Sequence, residues 1–391
     1  MPARTVESAG HPRHRKRDGA SARRFFPETT RKNPHRRPAN SGFGTLRGCL
    51  LSRKHLAKHQ DSVPRTALAS ASILTAIASA AMLAARDPSM HPFAFLSPGL
   101  RVDRADVATI DQDDVFVRVL PGRGNDLAVA AAARTTATPD RLIAWMRRIE
   151  SLQQRRYVPS LARFSTPPNP ADVAGLVLDE KEFDDIRQCR PDDCGLKLNG
   201  AEIARLQAVA PGAGWKRDVE AAFRLMVLER ARDYVADGRS DVTFAALAHH
   251  LGLRSPSLPG VADYLQEYPR LAHPDVVDSF LYWTRETFGF KPITSITHLT
   301  LIRSETAGMP RALAISKQVY ANHYKDGALA VTAIVGTGSR TYLVYAHRSN
   351  VDVLDGLFGG LVRHVVERRV RDEAPAVLSA LRTRLESGDP P

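Results

Sequence analysis

Four β-rich segments followed directly by one long helical segment occupy the C-terminal part of this 391-residue chain. Turn residues separate the four segments, which are Ile293–Arg303, Arg311–Tyr320, Ala328–Gly336 and Thr341–His347. Apolar residues then recur at helical spacing from about Val353 to Glu386, where Pro375 is expected to kink or split the helix. This succession predicts an antiparallel sheet packed against one long terminal helix.

A hairpin and a helix precede this region. Val115–Leu120 and Leu127–Thr135 have the composition of strands and flank a glycine-containing turn. Thr138, Pro139 and Asp140 then supply a capping hydroxyl, a proline at the first helical position and an early acid, which together predict a helix start.

The residues from about 157 to 290 form a mainly helical insertion in this pattern. Its predicted helices are 179–188, 200–208, Trp215 to about Asp237, Thr243–His250 and Val276–Thr287. Gly238 suits the C-terminal cap of the longest one. The predicted fold class is therefore α+β: an antiparallel sheet with a long C-terminal helix and a mainly helical insertion.

This order of elements resembles the START-like helix-grip folds over roughly residues 110–150 and 290–386. The resemblance implies a curved antiparallel sheet that wraps a long C-terminal helix around an apolar cavity.

The charge of the chain is concentrated at its beginning. The formal net charge is +13, but residues 1–65 hold 16 Lys and Arg against 4 Asp and Glu, which leaves 39 basic and 38 acidic residues in the rest. Composition predicts a disordered basic arm over residues 1–65. The nearly neutral body lacks the electrostatic footprint of a nucleic-acid-binding protein.

An uncharged stretch of 20 residues, Thr66–Ala85, follows the arm between Arg65 and Arg86. A positive residue, an apolar run and small residues near its end are the parts of a secretory signal, so residues 66–85 are expected to be a signal peptide or an N-terminal membrane segment that contacts the membrane transiently. The alternatives are a permanent inner-membrane anchor and a buried alanine-rich helix. A translation start at Val63 would place such a signal at the N-terminus, with residues 86–391 as an exported domain.

Cys189 and Cys194 flank Pro191, Asp192 and Asp193, which favour a turn. In an exported chain a pair this close is expected to form a disulfide, with free thiols as the alternative. The segments Cys189–Leu198, Lys317–Tyr324 and Tyr342–Arg348 resemble an uncharacterised family of exported bacterial proteins. That resemblance implies export, to the periplasm or beyond, but no activity.

The densest polar and aromatic cluster follows the predicted strands of the β-rich region. The candidate ligand-binding residues are Lys317, Tyr320, His323, Tyr324, His347 and Arg348. If 315–324 is a regular strand, Lys317 and His323 share one face and Tyr320 and Tyr324 the other. No motif for a metal, a cofactor or a catalytic nucleophile is present in the sequence, so we expect neither metal nor cofactor.

Three functions remain open from the sequence, and the last of them, nucleic-acid binding through the basic arm of residues 1–65, depends on Met1 being the true start. The first is an exported protein that binds a hydrophobic or lipid-like small molecule in a cavity. The second is an exported hydrolase that uses the histidines and tyrosines of the C-terminal β region, for which a nucleophile and a base within about 3 Å would be the discriminating geometry. Neither the catalytic residues nor the oligomeric state follows from the sequence.

Overall fold

A computed structural model of the chain describes residues 92–388 apart from 121, 123, 154–156, 241, 243, 288–290, 338 and 357–358. The predicted basic arm and the apolar segment 66–85 lie outside the described residues.

Eight antiparallel strands form one sheet in the order β1-β2-β8-β7-β6-β5-β4-β3. The strands are β1 (Phe116–Leu120), β2 (Asp126–Arg134), β3 (Ser160–Arg163), β4 (Val276–Glu286), β5 (Ile293–Arg303), β6 (Ala312–Ala321), β7 (Lys325–Thr337) and β8 (Arg340–Val351). The last five strands follow one another as consecutive hairpins, and β2 pairs with β8.

Helices cover both faces of this sheet. They are α1 (Arg104–Asp111), α2 (Pro139–Arg147), α3 (Ile149–Gln153), α4 (Glu180–Gln188), α5 (Gly200–Gln207), α6 (Trp215–Asp237), α7 (Ala245–His250), α8 (Val261–Glu267) and α9 (Gly359–Glu386). Short 3-10 turns lie at Ala94–Leu96, Pro170–Val173 and Asp352–Leu354. The predicted α+β class and the long C-terminal helix are confirmed.

The two faces of the sheet bury different sets of side chains. On one face, which we call the α9 face, Leu299, Ala314 and Leu343 pack with α2 and the second half of α9. On the other, the insertion face, strand residues such as Leu313 and Val344 pack with the helices between β3 and β4. On the α9 face, α9 lies nearest β1 and β2, whereas α2 lies nearest β5 and β6.

The prediction of a helix over Val276–Thr287 is wrong, because this segment is the strand β4. Phe280 and Tyr282 are buried on the α9 face, while Leu281 and Trp283 are buried on the insertion face. A strand that is covered on both faces carries apolar residues at successive positions, so it lacks the alternation by which half-exposed strands are recognised.

The predicted division of side chains between the two faces of 315–324 is also wrong. The pairing of β5 with β6 shifts between Ile296 and Thr297, which leaves Val319 as an extra residue in β6. A bulge of this kind reverses the alternation beyond it. Tyr320 therefore lies on the insertion face together with Lys317.

The terminal helix α9 is continuous and contains Pro375, so the predicted split into two helices does not occur. It begins at Gly359, after a 3-10 turn that takes up Val353. The helix predicted from Thr138 is interrupted at Arg148, which separates α2 from α3. Thr138 caps α2 through Arg141 N, as the sequence predicted.

A buried ion pair ties the insertion to the sheet. Arg285 of β4 donates from Nη2 to Glu182 Oε2 at 2.6 Å and from Nη1 to Glu182 Oε1 at 3.2 Å. Asn322 Nδ2 donates to Glu182 Oε1 at 2.9 Å. Glu182 also closes a capping box with Asp179 at the start of α4. The carboxylate thus has four hydrogen bonds in a site without solvent.

The predicted disulfide between Cys189 and Cys194 is confirmed. It closes the turn that follows α4, where Arg190 and Asp193 exchange backbone hydrogen bonds. Gly238 ends α6 in the left-handed conformation at φ 77°, as predicted for its C-terminal cap.

Candidate functional site

The structure divides the six residues of the predicted site between the two faces of the sheet. Lys317 lies on the insertion face, where Nζ donates to Leu265 O at 2.6 Å and sits 4.3 Å from the ring centre of Phe244. Burial lowers the pKa of Lys317 to about 8. These contacts attach α8 and the segment before α7 to the sheet.

Three more of the predicted residues have structural partners away from the α9 face. Tyr320 packs under the guanidinium of Arg230, whose Cζ is 4.3 Å from the ring centre. His323 Nδ1 donates to the carbonyl of Pro292 at 2.7 Å, and burial lowers the pKa of His323. The hydroxyl of Tyr324 accepts from the backbone N–H of Lys291 at 2.9 Å.

Arg348 pairs with Asp126 on the insertion face, whereas its neighbour His347 faces α9. Of the six predicted residues, His347 is the one that the structure places on the α9 face of the central strands. The structure therefore does not bring the six together into one site.

His347 and Tyr345 form the centre of a different cluster, on the α9 face of β8. Their rings are parallel within 2° with centres 6.4 Å apart. Both residues are half-buried, yet burial lowers the pKa of His347 to about 4 and raises the pKa of Tyr345 above its usual range. Desolvation thus acts on both rings although neither side chain is fully buried.

Some hydrogen-bonding groups in this cluster have no partner among the residues that the structure describes. Within the described chain, no hydrogen bond reaches the hydroxyl of Tyr345 or either ring nitrogen of His347. Gln318, two strands away on the same face, is buried and its Oε1 has no partner among the described residues. Buried polar groups in proteins are almost always paired, so Gln318 Oε1 and the half-buried groups of β8 on the same face are candidates for contact with an external partner.

Small and apolar side chains of intermediate exposure surround these polar groups. On β7, Ala330 pairs with His347 on one side and with Ser316 on the other, so small side chains line this part of the sheet. Half-buried apolar residues lie on the same face of β1 and β2, at Val117, Val119 and Val129, and on α9, at Val362, Val366 and Val370. The first half of α9 therefore covers this end of the sheet less tightly than its second half, where Leu378 and Leu385 are buried.

An ion pair closes one end of the cluster. Lys325 Nζ lies 2.9 Å from Glu286 Oε2, and Thr284 Oγ1 donates to Glu286 Oε1 at 3.1 Å. Both charges act on His347, since Lys325 lowers its pKa and Glu286 raises it, each less than burial does.

A chain of hydrogen bonds on the insertion face contains a possible nucleophile. Ser279 Oγ lies 2.6 Å from His298 Nε2, and Tyr234 Oη lies 2.9 Å from His298 Nδ1. His298 is completely buried, with the ring of Tyr268 centred 4.2 Å away. Burial, with a smaller contribution from Lys317, lowers the pKa of His298 to about 3.

Sequence patterns could not reveal either cluster completely. Ser279 and Glu286 lie in the segment mistaken for a helix, and Gln318 has no sequence signature that distinguishes it from a surface glutamine. The useful signal was residue spacing. Tyr345 and His347 are two residues apart in a predicted strand, so their side chains lie on the same face of the sheet.

The chain matches no known family model, and no curated protein matches it. Among solved structures it is similar to the crystal structure of the protein TTHA0849 from Thermus thermophilus, with 15% sequence identity and a TM-score of 0.22. The match covers 34% of this chain and 84% of that chain. At this level the likeness says nothing about function.

Two further properties concern the described residues. None of their helices has the length and apolar character needed to cross a membrane. None of their His, Cys, Asp and Glu side chains form a group of three or more that could hold a metal ion.

Proposed function

We propose that the protein binds a small, mainly apolar ligand between the α9 face of the sheet and the first half of α9. The observation that carries this proposal is the set of hydrogen-bonding groups on Tyr345, His347 and Gln318 that lack partners in the described chain and lie on the α9 face of the sheet. Ligand sites are typically apolar with a few polar groups that fix orientation, and this region has that composition.

The alanines of β7 provide the room for such a ligand. A leucine at Ala330 would project into the space over His347, since Ala330 and His347 are directly paired on the α9 face. We expect Ala330→Leu to abolish the fluorescence increase of N-phenyl-1-naphthylamine on binding, while the free energy of unfolding in urea does not fall.

The matched control for this variant is Ala346→Leu on the neighbouring strand. Ala346 pairs with Val331 and is buried on the insertion face, so the added atoms have no space there. Overpacking of this kind costs about 1–3 kcal/mol. Equal destabilisation by the two variants would show that the α9 face is solidly packed and would exclude the ligand site.

The alternative function, hydrolysis, has the short distance from Ser279 Oγ to His298 Nε2 in its favour. The weak basicity and complete burial of His298 count against it, because a general base needs a pKa near the working pH and access to the leaving group. We expect an alkyl fluorophosphonate to leave Ser279 unlabelled at neutral pH. Labelling that disappears in Ser279→Ala, with the fold intact by circular dichroism, would establish the hydrolase.

We also propose that the protein is exported and acts in the periplasm or outside the cell. The disulfide is compatible with an oxidising compartment, and the apolar segment 66–85 has the parts of a secretory signal that would direct the chain across the membrane. The mass of the protein from its native host should correspond to a chain that begins near residues 81–86, with both cysteines oxidised. An intact chain from Met1 with reduced cysteines, recovered from cytosol, would contradict export.

A further inference from the structure

The ion pair next to His347 and an arginine near the start of α9 are both compensated. On the sheet side, Lys325 is held by Glu286, and both side chains are largely buried. On the helix side, half-buried Arg363 lies 3.5 Å from Glu367 and donates to the carbonyls of Asp126 and Gly124. Both cations therefore already have a carboxylate partner, and neither is free to bind an anionic ligand.

The groups that lack partners in the described chain are themselves uncharged. The lowered pKa of His347, about 4, leaves its ring neutral at pH 7, and the raised pKa of Tyr345 keeps its hydroxyl protonated. Gln318 contributes a neutral acceptor, Oε1. The site thus offers hydrogen bonds in an apolar setting without a net charge.

We infer that this site takes uncharged amphiphiles that carry a hydroxyl or similar donor on an apolar body, and that it excludes the corresponding carboxylates. A carboxylate would lose its hydration without meeting a free cation, which costs several kcal/mol. A hydroxyl can donate to an acceptor such as Gln318 Oε1 and accept from the neutral groups of β8. This inference rests on the proposed ligand site and adds the class of ligand.

The test is displacement of bound N-phenyl-1-naphthylamine at pH 7.5 by decanol and by decanoate, two ligands with the same chain length. Because decanoate is also the more water-soluble, the decisive comparison is between protein variants. Glu286→Gln removes the partner of Lys325 and frees one cation at the site. We expect this variant to bind decanoate on the order of tenfold more tightly than wild type, with decanol affinity unchanged.

The control is Glu305→Gln, which removes an exposed carboxylate that pairs with Arg303 and Arg311 in the β5–β6 turn. It should leave both affinities unchanged. If Glu286→Gln does not improve decanoate binding, or if wild type already binds decanoate as tightly as decanol, the inference fails although the ligand site stands. If wild type binds neither the naphthylamine nor decanol, the ligand site itself is refuted.

Discussion

Replacing Glu182 by alanine is expected to lower the free energy of unfolding by about 3–5 kcal/mol, as measured by urea denaturation at pH 7. Glu182 has no exposed surface, and its loss would leave the buried guanidinium of Arg285 without a counter-charge. It would also remove the acceptor of Asn322 Nδ2 and the capping contact with Asp179.

The control for this prediction lies two residues away on the same helix. Glu180 pairs with Lys216, but the Glu180 side chain is 78% exposed and the Lys216 side chain 51%. An exposed pair contributes at most about 1 kcal/mol, so Glu180→Ala should have a small effect. If the two variants lost the same stability, the Glu182–Arg285 pair would not be the anchor of the insertion on the sheet.

Acid is expected to destabilise the protein through its two desolvated histidines. His298 and His347 have pKa values of about 3 and about 4 when folded, against about 6.5 when unfolded. The unfolded chain therefore binds more protons below pH 6.5, and stability falls as the pH falls toward 4. At about 1.4 kcal/mol per pH unit and histidine, the loss from pH 6.5 to 4.5 sums to roughly 4 kcal/mol.

Urea denaturation of wild type and of two histidine variants across this pH range tests the prediction. His347→Gln should remove about half of the loss, because glutamine takes up no proton. His364→Gln, at an exposed position of α9, should leave the pH dependence as in wild type. A pH dependence that is the same in all three proteins would mean that His347 is solvated in the folded state, contrary to the proposed ligand site.

The α+β architecture followed from the sequence because its strongest signals are local. The hairpin turns, the Thr138 cap and the apolar stripe of α9 each act within a few residues, and each was confirmed. Tertiary burial caused the main errors. β4 is apolar on both sides because the insertion covers the face that would otherwise meet water, and the sequence shows the covering helices without showing where they pack.

The candidate site was harder to predict for a related reason. One extra residue at Val319 decides which side chains of β6 face α9, and a bulge leaves no reliable mark in a single sequence. Lys317, Tyr320 and His323 attracted attention as polar residues in an apolar strand, but the insertion supplies partners for them. Gln318, between Lys317 and Val319, lies on the α9 face of the sheet instead.

The most direct test of the ligand site is native mass spectrometry of the protein purified without detergent or denaturant. The account predicts an adduct of a few hundred daltons that is released by organic solvent and absent from Ala330→Leu prepared in the same way. A bare polypeptide mass for wild type, in a preparation that also fails to take up added decanol, would contradict it.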